Sequence, residues 1–131
     1  MLIWVHAGFM AAAIILMMSG AVIVRFFKEK RWWLTVHRRT GLAGSFCVII
    51  GFAGAFAMVS LFEGSHLSVP HAYIGLISFL IALLTPALGI MQFRLRHQAA
   101  SIRKMHRLSG WTTLLLMSTA IASGLVHAGI I

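Results

Sequence analysis

Seven histidines stand in a sequence that has only two acidic residues, Glu29 and Glu63. Near neutral pH an imidazole does two kinds of chemistry: it exchanges protons, and it coordinates transition metals through an unprotonated ring nitrogen. Four of the seven, His6, His37, His71 and His106, each fall near the start of a long apolar run. His66 and His97 lie between runs, and His127 lies near the end of the last one. One ring per run is a pattern for ligation, provided the runs are elements that bring the rings together.

The runs are membrane spans. The sequence is 60% apolar and 10% charged with mean hydropathy +0.96, whereas a soluble domain is about a quarter charged. This excludes a water-soluble globular domain. Apolar stretches at 2–24, 38–62, 70–93 and 108–131 each offer the ~20 residues that a spanning helix needs. The first has no positively charged leader and runs to a basic flank, so it reads as a retained helix rather than a signal peptide. The expected fold is an all-α integral membrane protein, a four-helix transmembrane bundle of up-down-up-down topology, with residues 1–131 as a single domain.

The formal charge of +9 does not mark a nucleic-acid binder, because all eleven Lys and Arg lie in two stretches between runs, Arg25 to Arg39 and Arg94 to Arg107. Four spans put both stretches on one side, and the positive-inside rule makes that side cytoplasmic. Both termini and the loop 62–69 are then outside, and a prokaryotic plasma membrane is the expected location. Trp32 and Trp33 read as interfacial anchors. Glycines inside the spans allow helices to approach closely.

Helices alternate in direction, so His6 and His71 are expected at the outer level and His37 and His106 at the cytoplasmic level, each pair on diagonally opposed helices. Two diagonal pairs at two depths are the axial ligands that two stacked, six-coordinate b haems require. His37, His71 and His106 are followed four residues later by Gly41, Gly75 and Gly110. Residue i+4 shares a helical face with residue i, so glycine there clears space for a flat macrocycle. His6 departs from this, with Gly8 and then Met10. Gly20 and Gly89 near the cytoplasmic level, and Gly51, Gly54 and Gly124 near the outer one, are expected to face the haem that their own helix does not ligate. The helical rise puts the two levels roughly 25 Å apart. Cys47 is the single cysteine and no Cys-x-x-Cys-His occurs, so both haems are non-covalent. Zinc suits the pairs less well, since two imidazoles leave a tetrahedral site half empty. His66, His97 and His127 are expected to be solvated, with proton or partner exchange as the other use for His66 or His127.

These residues resemble the cytochrome b561 family over almost the whole chain. Ala21-Val22-Ile23-Val24-Arg25-Phe26-Phe27-Lys28 is similar to the family's end-of-helix motif, with Val24 in place of its tyrosine. His71-Ala72-Tyr73-Ile74-Gly75 resembles its His-Ser-Trp-x-Gly segment, and His106-Arg107-Leu108-Ser109-Gly110 its last ligand motif. His37 resembles the ligand that opens its second core helix. The resemblance implies a four-helix core carrying two b haems on four such histidines. Eukaryotic members add a helix at each end of that core, so this chain looks like the minimal core.

The expected function is transmembrane electron transfer between a partner on one face and a partner or small redox molecule on the other. Partners then include membrane lipid, a redox protein or the other subunits of a complex, a quinone or small reductant, and a second copy of the chain. Arg25, Arg38 and Arg107 are candidates to neutralise haem propionates or steer an anionic partner, the simpler role being contact with lipid phosphates. The alternatives are a haem-bearing anchor subunit of a larger respiratory complex, a small four-helix transporter and a structural assembly subunit. A transporter's usual mid-membrane ionisable residue is not supplied by Glu29 or Glu63, and a scaffold needs none of the histidines.

Overall fold

A computed structural model describes residues 1–131, the side chain of Glu63 excepted. It is all-helical: α1 spans Leu2–Phe26, α2 Trp33–Met58, α3 Pro70–Arg94 and α4 Ala99–His127. α2 continues through a π-helical turn, Val59–Glu63, and α4 is entered through a 3-10 turn, Arg96–Gln98. Four helices among the described residues are long and apolar enough to cross a membrane.

The chain divides into two compact units, Met1–His66 and Leu67–Ile131. Each is a helical hairpin, α1 on α2 and α3 on α4. The first hairpin buries small residues, namely Ala13 and Gly20 from α1 against Gly44, Ser45, Val48, Gly51 and Gly54 from α2. A methyl group on Gly44 would come within 2.9 Å of Met17 Cγ and 3.3 Å of the Ala13 carbonyl, so backbone approach here depends on glycine. The second hairpin buries Ser78, Ala82 and Leu88 against Ile102, Ser109, Thr113, Leu114, Met117 and Ala120. Two of its buried hydroxyls close on their own helices, Ser78 donating to the Ile74 carbonyl at 2.7 Å and Ser109 to that of His106 at 3.1 Å. Large apolar side chains such as Ile15, Phe46, Leu80 and Leu115 lie outside, the inverse of a soluble protein and the pattern that lipid rewards.

Two of the helices start earlier than the apolar runs. α2 begins at Trp33 and α4 at Ala99, so His37 is the fifth residue of its helix and His106 the eighth rather than the first. Arg and Lys are good helix formers, and their stems lie along apolar surface while their charges reach water, so a helix continues into a basic stretch that hydropathy excludes. His6 likewise stands fifth in α1. α3 does begin at Pro70, with Val69 extended before it at φ −127° and ψ 151°, as a residue preceding proline must be. α4 stops at His127, short of the expected 131, and Gly129 follows at φ +67°. Trp111 is the thirteenth residue of α4 and is exposed.

Candidate functional site

The four histidines that the sequence singled out are all half-buried, and each is seated on the opposite helix of its own hairpin. His6 Nδ1 lies 2.9 Å from the carbonyl of Gly51, and His37 Nδ1 lies 3.1 Å from that of Gly20. In the second hairpin His71 Nδ1 is 2.9 Å from the Ala120 carbonyl, and His106 Nδ1 is 2.8 Å from that of Thr85. A carbonyl oxygen has no proton to give, so in every pair Nδ1 is the donor. Each neutral ring is thereby fixed in the tautomer whose lone pair is on Nε2. This is the way metal-ligating histidines are prepared: one nitrogen donates to a fixed acceptor, which orients the ring and raises the basicity of the other.

One rule generates all four seats. The accepting carbonyl stands fourteen residues beyond the histidine of its own helix, from His6 to Gly20, His37 to Gly51, His71 to Thr85 and His106 to Ala120. Fourteen residues close almost a whole number of turns, so histidine and carbonyl share a face. In an antiparallel hairpin each helix therefore offers a ring at one end and a seat at the other. The interval sets the two levels of a hairpin about 21 Å apart along the helix, somewhat less than expected from the run lengths.

The glycines divide into two groups. Gly89 and Gly124 make room for the rings, and Gly20 makes room for Thr40 beside one. A methyl on Gly124 would meet His71 Cε1 at 2.9 Å and Nδ1 at 3.1 Å, and one on Gly89 would meet His106 Cε1 at 3.1 Å. One on Gly20 would meet Thr40 Oγ1 at 3.0 Å and His37 Nδ1 at 3.5 Å. In the hairpins Gly89 and Gly124 lie against the histidine ring of the neighbouring helix and Gly20 lies against Thr40. A methyl on Gly54 would lie 3.7 Å from the His6 backbone nitrogen, and Gly51 receives Met10, whose Cε would be 3.1 Å from a methyl there. That accounts for the missing i+4 glycine after His6, because Met10 turns into the hairpin.

Gly41 and Gly75 form the other group, with no atom within 4 Å of an added methyl, while Gly110 would meet only Thr85 Cγ2 at 3.8 Å. Open space one turn beyond a seated imidazole is what a flat macrocycle needs. Among the described residues no three His, Cys, Asp or Glu cluster as a metal site, so iron held by these rings needs further ligands, and a porphyrin brings four nitrogens. The residues present fit haem on both counts.

Arg25 is exposed in the last turn of α1, its guanidinium carbon 5.6 Å from the Phe26 ring centroid. Arg38 and Arg107 directly follow seated histidines and are exposed. His97 and His127 are exposed as expected. His66 is exposed yet held, stacking on Phe56 at 4.5 Å and hydrogen-bonded through Nε2 to Ser60 Oγ at 3.2 Å. The seats themselves, Gly51, Thr85 and Ala120 above all, act through backbone atoms, and only the repeated interval of fourteen could have revealed them in the sequence.

With this geometry, the comparison with known families is specific. The family described as eukaryotic cytochrome b561 matches residues 5–131, a span containing all four helices and all four seated histidines. The chain belongs to the cytochrome b561 family, the haem b proteins that carry electrons across membranes. No curated protein and no solved structure matches it.

Proposed function

We propose that the chain is a dihaem electron carrier in which one haem is held by His6 and His71 at the outer level and the other by His37 and His106 at the cytoplasmic level. Residues 1–131 would then act as a single domain with both termini outside. The observation that carries the reading is the common geometry of the four rings, each with Nδ1 at hydrogen-bond distance from a backbone carbonyl, an arrangement that leaves Nε2 for a metal. When bound, haem supplies one-electron iron chemistry. The chain's own residues would do the rest: two imidazoles for each haem would hold and orient it and fill the iron's remaining positions, leaving none for oxygen. Gly41, Gly75 and Gly110 leave room for the macrocycle, and the apolar outer faces keep water away. Arg25, Arg38 and Arg107 neutralise propionates or draw an anionic or quinone-like partner to the cytoplasmic side.

The test is direct. Purified protein should be red, should change its visible spectrum on addition of dithionite to that of a low-spin b cytochrome, and should release its haem into acid acetone. A colourless, folded protein contradicts the reading and returns the chain to a transporter or scaffold. Haem that resists extraction contradicts non-covalent binding.

A further inference from the structure

One of the four seats differs chemically from the others. The Thr85 carbonyl precedes Pro86, which stands inside α3. Its amide is therefore tertiary, while those of Gly20, Gly51 and Ala120 are secondary. A tertiary amide oxygen carries more negative charge and is the stronger acceptor. Proline also removes a helical N–H and crowds the carbonyl four residues earlier, which opens the turn it interrupts. The hydrogen bond received here, from His106 Nδ1 at 2.8 Å, is the shortest of the four.

The same residue is held from α4 at a second point, through its side chain. Thr85 Oγ1 donates to the Ile81 carbonyl at 2.9 Å and lies 3.3 Å from Thr113 Oγ1. Thr113 is only 2% exposed, and it stands seven residues, two turns, beyond His106 on the same face of α4. α4 thus grips Thr85 twice, by the ring of His106 on the main chain and by the hydroxyl of Thr113 on the side chain.

We propose that Pro86 and Thr113 are positioning residues for His106: Pro86 strengthens the acceptor under its Nδ1–H and Thr113 holds that acceptor in place. This rests on the reading of His106 as a haem ligand and adds a direction to it. A stronger acceptor gives the imidazole more imidazolate character, which stabilises ferric over ferrous iron and lowers the midpoint potential of the haem that His106 ligates.

The experiment compares wild type, Pro86→Ala, Thr113→Val and Thr113→Ser as full chains purified from membranes. It records the two midpoint potentials and, in dithionite-reduced protein labelled with nitrogen-15 histidine, the ring resonances of His106. Pro86→Ala and Thr113→Val should each raise one midpoint, that of the haem which His37→Ala removes. They should also move the His106 Nδ1 proton toward the position of a weaker hydrogen bond. Thr113→Ser, which keeps the hydroxyl, should do neither. Alanine suits a helix better than proline, so a purely structural role for Pro86 predicts a more stable protein with unmoved potentials and resonances, and that result overturns the proposal. If the chain carries no haem, the proposed function fails on its own, and the His106 resonance still decides: a shift in Pro86→Ala sustains the positioning role and an unchanged one refutes it.

Discussion

His6 gives its Nδ1 proton to the Gly51 carbonyl 2.9 Å away, and Gly51 stands fourteen residues beyond His37 on the same helix. The partner of one histidine is thus placed by the helix that carries another. Slipping α2 by one residue would turn that carbonyl about 100° around the helix axis and unseat both rings at once. The hydrogen bonds that set the tautomers therefore also fix the register of the hairpin.

Gly75→Ala separates a cofactor cradle from ordinary helix packing. No protein atom lies within 4 Å of the added methyl, and alanine favours a helix over glycine by about 0.5–1 kcal/mol. The chain itself should therefore be at least as stable. Haem content should nonetheless fall from two toward one per chain, measured against protein concentration. Unchanged haem content would show that the space beyond His71 serves no macrocycle.

Gly124→Ala acts on the ring instead. The methyl would stand 2.9 Å from His71 Cε1, and relieving such a clash costs about 1–3 kcal/mol in addition to the His71 to Ala120 hydrogen bond. The low-spin spectrum of one haem should change while that of the other persists. A spectrum identical to wild type would mean that His71 is not a ligand.

Much of this site was legible in the sequence because it rests on residue types. One histidine per apolar run marked the rings, and the i+4 glycines after His37, His71 and His106 marked the open faces. The seats were not legible, since any residue has a carbonyl and Thr85 and Ala120 carry no signal of their own. The side chains that Gly20, Gly89 and Gly124 approach, Thr40 and the rings of His106 and His71, were not legible either. Depth along a helix places a residue at a level, whereas its direction depends on how the hairpin packs. Helix starts were misplaced for a related reason: hydropathy reports where lipid begins, and α2 and α4 form before that point.

Topology has its own test. If the positive-inside rule holds for both basic stretches, as the proposed topology requires, tags at the two termini should react only with reagents applied from outside. Termini accessible only from the cytoplasm would exchange the sides assigned to the two haems.

Arg38 is exposed beside seated His37. If it steers an anionic partner, reduction of the cytoplasmic haem in a stopped-flow instrument should slow as salt rises in wild type, and Arg38→Gln should be slower with a weaker salt dependence. Equal rates with no salt dependence would leave the arginine as a contact for lipid phosphates.

The central claim is that each haem takes one histidine from each hairpin, and haem counting in four single variants tests it most directly. His6→Ala and His71→Ala should each hold one haem per chain with the same residual spectrum. His37→Ala and His106→Ala should each hold the other. Matching residual spectra for His6→Ala and His37→Ala, or loss of both haems from a single variant that remains folded, would contradict it.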